Sequence, residues 1–475
     1  MGEGGPRSAA AILGAVSTEA TTAPRPSRGD ELELHIDSLA FGGAGVARLE
    51  GYVVFVQGAV PGDTVRAVVG KRKRAYAEAR TLEILTPSPD RIAPVADHPG
   101  VPWQVLSYER QLAVKQEQVQ EALRRIGHLE GYQLEPIIAA EQQWRYRNKL
   151  EYSFGADEQG ALVCGFHAPG RWHEIVAVDD CHLASTQGNH AREQVVEWCR
   201  SQGLQPYDRR TREGLLRNLV VREGRRSGQL QVRLVTSPGE IHRDGLAQAL
   251  TAAESLLWTQ TDSVAEVTQG GRTELITGED RLDEELGGLR VRISSQAFFQ
   301  TNTEMAERLY AVAADYAQLR GYERVYDLFC GIGTIGLLLA PRAAETWGLE
   351  LVEDAVADAI ANARLNEIDN ARFFAGDVRL ALRELSERAG RPDVLVLDPP
   401  RAGLSQKVMR RIIETAPRRI VYVSCNPTTL APNAAQLVEA GYELTRVQPV
   451  DMFPQTPHIE CVAVLERGAG GPNRR

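Results

Sequence analysis

The sequence predicts an α/β protein whose C-terminal part is a doubly wound, mainly parallel sheet, preceded by a small β-barrel and a central α+β domain. Three observations carry this reading. From Arg324 onward, apolar strand-like runs alternate with helical runs, the rhythm of the crossover connections that build parallel sheets. Between Glu31 and Leu85 short alternating runs are packed close together with turn residues between them, as in small all-β units. The length, 475 residues, is enough for roughly three domains at about 150 residues each.

Taken in order, residues 1–27 are rich in Ala, Gly, Pro, Ser and Thr and lack an apolar run behind a basic start. They read as a disordered tail and not as a secretory signal. From Glu31 the side chains alternate, with Leu32, Leu34 and Ile36 on one face and Glu33 and His35 on the other. Runs at Tyr52 to Val56, Thr64 to Val69 and Ala75 to Leu85 follow, divided by Gly42-Gly43, Pro61-Gly62-Asp63 and Gly70, which are turn residues. Residues 28–86, read as five short strands, make a small barrel of the OB type. Its last hairpin carries Lys71, Arg72, Lys73 and Arg74, with Tyr76 close behind. A charge run alone is usually a solvated turn, but on such a barrel it becomes a candidate nucleic-acid contact.

Pro87, Pro89 and Pro94 mark a linker, and Tyr108 to Ile126 reads as an amphipathic helix ended by Gly127. The stretch to about Leu289 mixes strand-like and helical segments and is rich in arginine from Arg209 to Arg233, so residues 87–294 are read as the central domain. In residues 295–475 strand-like runs begin at Val325, Thr346, Arg372, Val394, Ile420, Leu444 and Cys461, with helical runs such as Ala355 to Asn366 and Gln406 to Thr415 between them. In such Rossmann-like sheets ligands bind at the carboxyl ends of the strands.

Composition fits a soluble protein, with 43% apolar and 25% charged residues, and no window approaches the ~18 apolar residues of a membrane span. No membrane partner is expected. The six cysteines, Cys164, Cys181, Cys199, Cys330, Cys425 and Cys461, are scattered, which suits a reducing, cytoplasmic setting better than a disulfide framework. A net charge of −9 excludes a uniformly basic surface but not local basic patches.

Asp327-Leu-Phe-Cys-Gly331-Ile-Gly333-Thr334-Ile-Gly336 follows the first strand of the C-terminal domain and leads into an apolar helix. Its glycines allow a tight turn and a close approach of backbone to a ligand, although the same spacing occurs in dinucleotide sites. The next strand ends carry acids: Glu350, Asp377, and then Asp398 in Asp398-Pro-Pro-Arg401. Each alone could be a helix cap. Together they favour an uncharged or cationic adenosine ligand over a pyrophosphate, and S-adenosylmethionine fits that description.

At the end of the fifth strand stands Ser424-Cys425-Asn426-Pro427. A thiol at a strand-to-helix turn feels the helix dipole, which favours thiolate, and Asn-Pro fits an exposed turn better than a buried cysteine. Glu460, between Ile459 and Cys461 at the start of the last strand, is an odd place for a carboxylate; it is either a surface charge or a base beside the thiol.

These motifs resemble the S-adenosylmethionine-dependent RNA 5-methyluridine methyltransferases, the uracil-carbon-5 type with an N-terminal TRAM domain. The resemblance rests on Ala297-Phe-Phe-Gln300-Thr-Asn302, Asp327 to Thr334, Asp398-Pro-Pro-Arg401-Ala-Gly403, Ser424-Cys-Asn-Pro427 and Pro457-His-Ile-Glu460-Cys-Val462, in that order. It implies a methyltransferase domain at 295–475 and a TRAM barrel at 28–86. It further implies a cofactor pocket of Gln300, Phe329, Thr334, Glu350, Asp377 and Asp398, with Asp398 also near the uracil. Phe298 would pack on the extruded base. Cys425 would be the nucleophile and Glu460 the base.

The implied chemistry is addition of Cys425 to carbon 6 of uracil, methylation of the enolate at carbon 5, removal of the carbon 5 proton by Glu460, and elimination of the cysteine. The expected partner is RNA, with 23S ribosomal RNA favoured over transfer RNA, acted on by a monomer. Many relatives hold an iron–sulfur cluster on four cysteines; here Pro94 to Gln104 contains none, and Cys181 resembles a surviving fourth ligand. One thiolate cannot hold such a cluster, so no cluster and no metal are expected. RNA cytosine-5 and adenine amino-methyltransferases fit less well, because Asp398-Pro-Pro has no cysteine beside it and is followed by Arg401. A non-catalytic RNA-binding or assembly protein that retains the fold is the remaining alternative.

Overall fold

A computed structural model describes residues 25–468 apart from Glu266, so most of the stretch read as a tail lies outside the described residues. The N-terminal barrel is a six-stranded sheet in the order Glu31–His35, Thr64–Arg72, Tyr76–Thr86, Tyr52–Gln57, Gly45–Leu49, Ser38–Leu39. Six strands stand where five are expected, and Gly45–Leu49 and the two-residue Ser38–Leu39 are the ones that none of the runs located in the sequence covers. Alternation sends Leu34, Val54, Val56, Val65, Ala67 and Val69 into its core, as the period of two in a strand requires. Lys71 to Arg74 close the hairpin between Thr64–Arg72 and Tyr76–Thr86 and are exposed.

The central sheet has seven strands, in the order Arg171–Ala177, Leu162–Ala168, Lys149–Ala156, Leu216–Glu223, Leu230–Thr236, Ser255–Gln260, Arg272–Thr277. Its core gathers Tyr146, Tyr152, Cys164, Cys181 and Cys199 around the helix Thr186–Ser201.

The C-terminal sheet runs Ala371–Ala375, Glu345–Glu350, Arg324–Leu328, Val394–Leu397, Arg419–Ser424, Glu460–Arg467, Tyr442–Val450, Gln133–Leu134. The first five strands in that order are parallel. Glu460–Arg467 then runs antiparallel to both of its neighbours. Helices cover both faces, and the strands show it residue by residue: Val394 and Val396 join one core, Leu395 and Leu397 the other. Strands buried on both sides read as continuous apolar runs, which is why these were visible in the sequence.

Packing divides residues 87–294 between two bodies. The helix Tyr108–Glu121, its π-helical extension Ala122–Ile126 and the strand Gln133–Leu134 pack on the C-terminal sheet through Val119, Leu123 and Leu129. The hairpin Arg281–Leu286 and Leu289–Ser294 does so on the opposite face through Leu286, Val291 and Ile293. Amphipathic segments declare that they bury a face but not which sheet receives it.

Candidate active site

Two groups of side chains meet at the carboxyl ends of the central parallel strands. The first lines a small cleft formed by Phe298, Phe299, Gln300, Tyr310, Phe329, Thr334 and Asp398, with the glycine turn beneath. The strand Arg324–Leu328 leads into this turn, and Phe329 takes up a φ of 64°, with Gly331 at 54° and Gly333 at 84°. A left-handed phenylalanine is an uncommon conformation that marks functional turns. Gly333 opens the helix Thr334–Leu339, and a Cβ there would stand 2.9 Å from Phe373 as well as being strained. Asp327, fully buried, accepts a hydrogen bond from Gly336 N at 2.8 Å and so pins the turn to its strand.

The acids divide. Glu350 accepts from Gly331 N at 3.1 Å with one oxygen and from Leu351 N and Val352 N with the other, which ties its carboxylate to the glycine turn. Asp398 stands in the cleft itself, and burial pushes its carboxyl up to about 7. Burial likewise raises Asp327 to about 8, against the Gly336 hydrogen bond, with Asp398 and Glu350 adding to it. Asp377 instead caps the helix Val378–Ala389 through Arg379 N at 2.8 Å, and its carboxylate is gripped by the Arg379 side chain. The helix-cap reading is thus realised at Asp377, where the cleft lining does not reach.

Phe298 is 63% exposed at the mouth of the cleft, whereas its neighbour Phe299 is 6% exposed in the core. The adjacent pair therefore points two ways, and Phe298 is the ring available to stack. Gln300 is buried in the lining and held by the Asn148 side chain, which donates to its carbonyl at 2.8 Å.

The second group is made by strand register. In the antiparallel ladder between Arg419–Ser424 and Glu460–Arg467, Ser424 is opposite Cys461, so the next position brings Cys425 opposite Glu460 at the rim. Asn426 caps the helix Pro427–Glu439, accepting from Thr428 N at 3.0 Å and donating to the Arg401 carbonyl at 3.1 Å. Cys425 is only partly buried while the other five cysteines are buried. Burial, then Glu460 and Asp398, push its thiol up to about 12, with Arg401 pulling the other way. Contrary to the expectation from the helix dipole, burial and the two acids favour the thiol. Glu460, 4% exposed, is held well above the usual carboxylate range by burial and by Asp398.

A glycine turn, an acid on the second strand end and a buried acid in the adjoining cleft form an adenosine-binding site of the class used by S-adenosylmethionine-dependent methyltransferases. Residues 107–468 match the model of the tRNA (uracil-5-)-methyltransferase family and residues 26–82 that of the TRAM domain, and the chain belongs to the tRNA (uracil-5-)-methyltransferase family. Relatives include an uncharacterized RNA methyltransferase of Halalkalibacterium halodurans, 38% identical over 93% of this chain and 98% of its own length. Another, of Chlorobaculum tepidum, is 39% identical over 93% of this chain and 98% of its own. Among solved structures, the tRNA (uracil-54, C5)-methyltransferase of Pyrococcus abyssi in complex with S-adenosyl-L-homocysteine superposes with a TM-score of 0.74. It is 27% identical and covers 91% of this chain and 100% of its own. The protein is an S-adenosylmethionine-dependent RNA (uracil-5-)-methyltransferase.

The site fits that cofactor on its own terms: Asp398 in the cleft and Glu350 at the glycine turn offer carboxylates to a cation and to hydroxyls. Lys71 to Arg74 are not part of this lining; their contacts lie within the barrel, such as Lys71 with Glu78 at 3.7 Å. Sequence reasoning passed over Tyr310, Asp327 and the guanidinium of Arg401. A charge inside an apolar strand was the available signal for Asp327, while Tyr310 sits on an ordinary helical repeat of Thr303–Ala317. Cys181 is fully buried, with its sulfur 3.2 Å from His98 Nε2. Among the described residues no group of three or more His, Cys, Asp or Glu is placed to hold a metal ion, and no helix is long and apolar enough to cross a membrane.

Proposed function

We propose that this enzyme methylates carbon 5 of a uridine in 23S ribosomal RNA through a covalent adduct of Cys425 with carbon 6. The observation that carries the mechanism is the ladder register that sets Cys425 against Glu460 beside the Asp398 cleft. In this reading Gln300, Phe329, Thr334, Glu350 and Asp398 hold S-adenosylmethionine, with Asp377 at the outer edge. The cofactor, as a sulfonium, supplies the methyl group and a positive charge.

Carbon 5 of uracil is too weak a nucleophile unaided. The Cys425 thiol gives up its proton to solvent and its sulfur bonds carbon 6, moving the double-bond pair to carbon 5 and oxygen 4. Carbon 5 then takes the methyl group. Glu460, as carboxylate, removes the proton left on carbon 5; the double bond re-forms as the carbon–sulfur bond breaks, and Cys425 leaves as thiolate. A carboxylate whose proton affinity is raised by burial is the stronger base for carbon. Phe298 stacks on the uracil after it leaves its helix or loop stack, and the exposed Lys71 to Arg74 run contacts phosphates.

Transfer RNA is the second reading, favoured by the name of the matching family model and by the Pyrococcus abyssi enzyme, which covers 91% of this chain and acts on tRNA by its description. A match that broad reaches into the barrel, so a barrel alone does not select ribosomal RNA. Mapping 5-methyluridine in total RNA of a strain lacking the protein tests the target. Loss of a 23S site supports the proposal, and loss confined to tRNA overturns the ribosomal assignment.

A further inference from the structure

We propose that Phe41, contributed by the N-terminal barrel, is a positioning residue of the catalytic centre, where its ring holds the guanidinium of Arg401, a residue whose carbonyl is tied to the Cys425 turn. The proposal rests on the assignment of Cys425 as nucleophile made above. It makes the barrel part of the reacting site as well as a surface for RNA.

The loop between Ser38–Leu39 and Gly45–Leu49 projects from the barrel toward the C-terminal domain. The helix Tyr108–Glu121 fastens its start, because Gln118 Nε2 donates to Leu39 O at 3.0 Å and to Ala40 O at 3.1 Å. Gly42 and Gly43 follow at φ 94° and 90°, a bend that side chains rarely adopt. Gly43 lies against the segment that leads into Glu460: a Cβ there would stand 3.1 Å from the Pro457 ring and 3.2 Å from Trp103 Nε1.

Seated in this way, the loop places the Phe41 ring centroid 5.5 Å from Arg401 Cζ. That is within reach of a cation–π contact. Arg401 is tied to the nucleophile turn by its carbonyl, which accepts from Asn426 Nδ2, and its Nη1 is 3.5 Å from His458 Nδ1. The acids that act on Cys425 are Glu460 from the last strand and Asp398 from the fourth, and Cys425 in turn raises Tyr422 and Cys461. Against these acids Arg401 is the cation that favours the thiolate and the enolate derived from it.

Arg401 is otherwise exposed, and an unrestrained arginine spreads over many rotamers. An exposed cation–π contact favours the held position about two- to fivefold. Leucine would preserve the apolar contact but not the quadrupole, whereas tyrosine would preserve both.

The test uses the full chain with Phe41→Leu, Phe41→Ala, Phe41→Tyr, Arg401→Gln and Cys425→Ala. Iodoacetamide labelling of Cys425 is followed by peptide mass against pH, the other five cysteines being buried. We expect labelling at pH 8 to slow about tenfold in Arg401→Gln and about two- to fivefold in Phe41→Leu. Phe41→Tyr should match the parent. Turnover on RNA should fall in the same order, with an unchanged KM for S-adenosylmethionine. Unaltered labelling and turnover in Phe41→Leu, with the melting temperature of the parent, would overturn the proposal even if Phe41→Ala failed to fold. Methylation by Cys425→Ala would instead overturn the nucleophile assignment on which the proposal rests. An inactive Cys425→Ala beside an unaffected Phe41→Leu would remove this proposal alone.

Discussion

Replacing Lys115 with methionine removes the cation from a fully buried ion pair. Lys115 and Asp451 are both inaccessible to solvent, with Nζ 2.6 Å from Oδ1. The same ammonium donates to Phe453 O at 3.1 Å and lies 5.6 Å from the centre of the Trp103 ring. Asp451 also accepts from Tyr108 Oη at 3.0 Å and from Phe453 N at 3.1 Å. This cluster binds the helix Tyr108–Glu121 to the start of the loop that returns to Glu460. Breaking a buried pair from one side leaves the other charge uncompensated, a loss of about 3–5 kcal/mol, whereas replacing both partners with apolar residues is often neutral or better. Lys115→Met should therefore lower stability by about 3–5 kcal/mol, and Lys115→Met with Asp451→Leu should recover most of it. Guanidinium unfolding followed by far-ultraviolet circular dichroism measures both. A single variant within about 0.5 kcal/mol of the parent, the usual range for a surface change, would refute the reasoning.

The remaining predictions concern the acids, the barrel and the cysteine that lost its partners. Burial with two neighbouring acids holds Cys425 up to about 12, and burial alone holds Asp398 up to about 7, so lowering the pH protonates groups that must be ionised, and kcat/KM should rise with pH across pH 6 to 9. A flat profile over that range would contradict these environments. Replacing Lys71, Arg72, Lys73 and Arg74 with alanine should weaken RNA binding and reduce the salt slope by about 0.7 to 0.9 per lost phosphate contact, with cofactor affinity unchanged; an unaltered slope returns the run to a solvated hairpin. Protein purified without oxygen should carry no stoichiometric iron, and Cys181→Ser should keep full activity. Absorption near ~400 nm with bound iron and sulfide would show otherwise.

Much of the C-terminal sheet was legible because strands covered on both faces are unbroken apolar runs bounded by turns, as at Val394–Leu397 and Arg419–Ser424. What the sequence could not give was partner choice. Tyr108–Glu121 and Arg281–Ser294 carry clear amphipathic patterns, yet the body they join depends on shapes presented by residues far along the chain. The same limit applies to the site. Cys425 and Glu460 were each visible as a polar residue at a strand end, but their juxtaposition follows from the reversed direction of Glu460–Arg467, which no local pattern encodes. Asp377 had the signature of both a helix cap and a ribose or adenine ligand, and the Arg379 side chain that engages it lies only two residues on. Phe41, in a glycine-rich turn of a different domain, carried no signal at all.

The covalent role of Cys425 is tested most directly with Glu460→Gln, RNA substrate and methyl-labelled S-adenosylmethionine. Without the base, the methylated adduct keeps its carbon 5 proton and cannot expel the sulfur. A complex of protein and RNA should then survive denaturation, carry the methyl label, and map by mass to the peptide containing Cys425; adding Cys425→Ala should abolish it. Methylated RNA released by Cys425→Ala, or a Glu460→Gln enzyme that turns over without accumulating the complex, would contradict the mechanism.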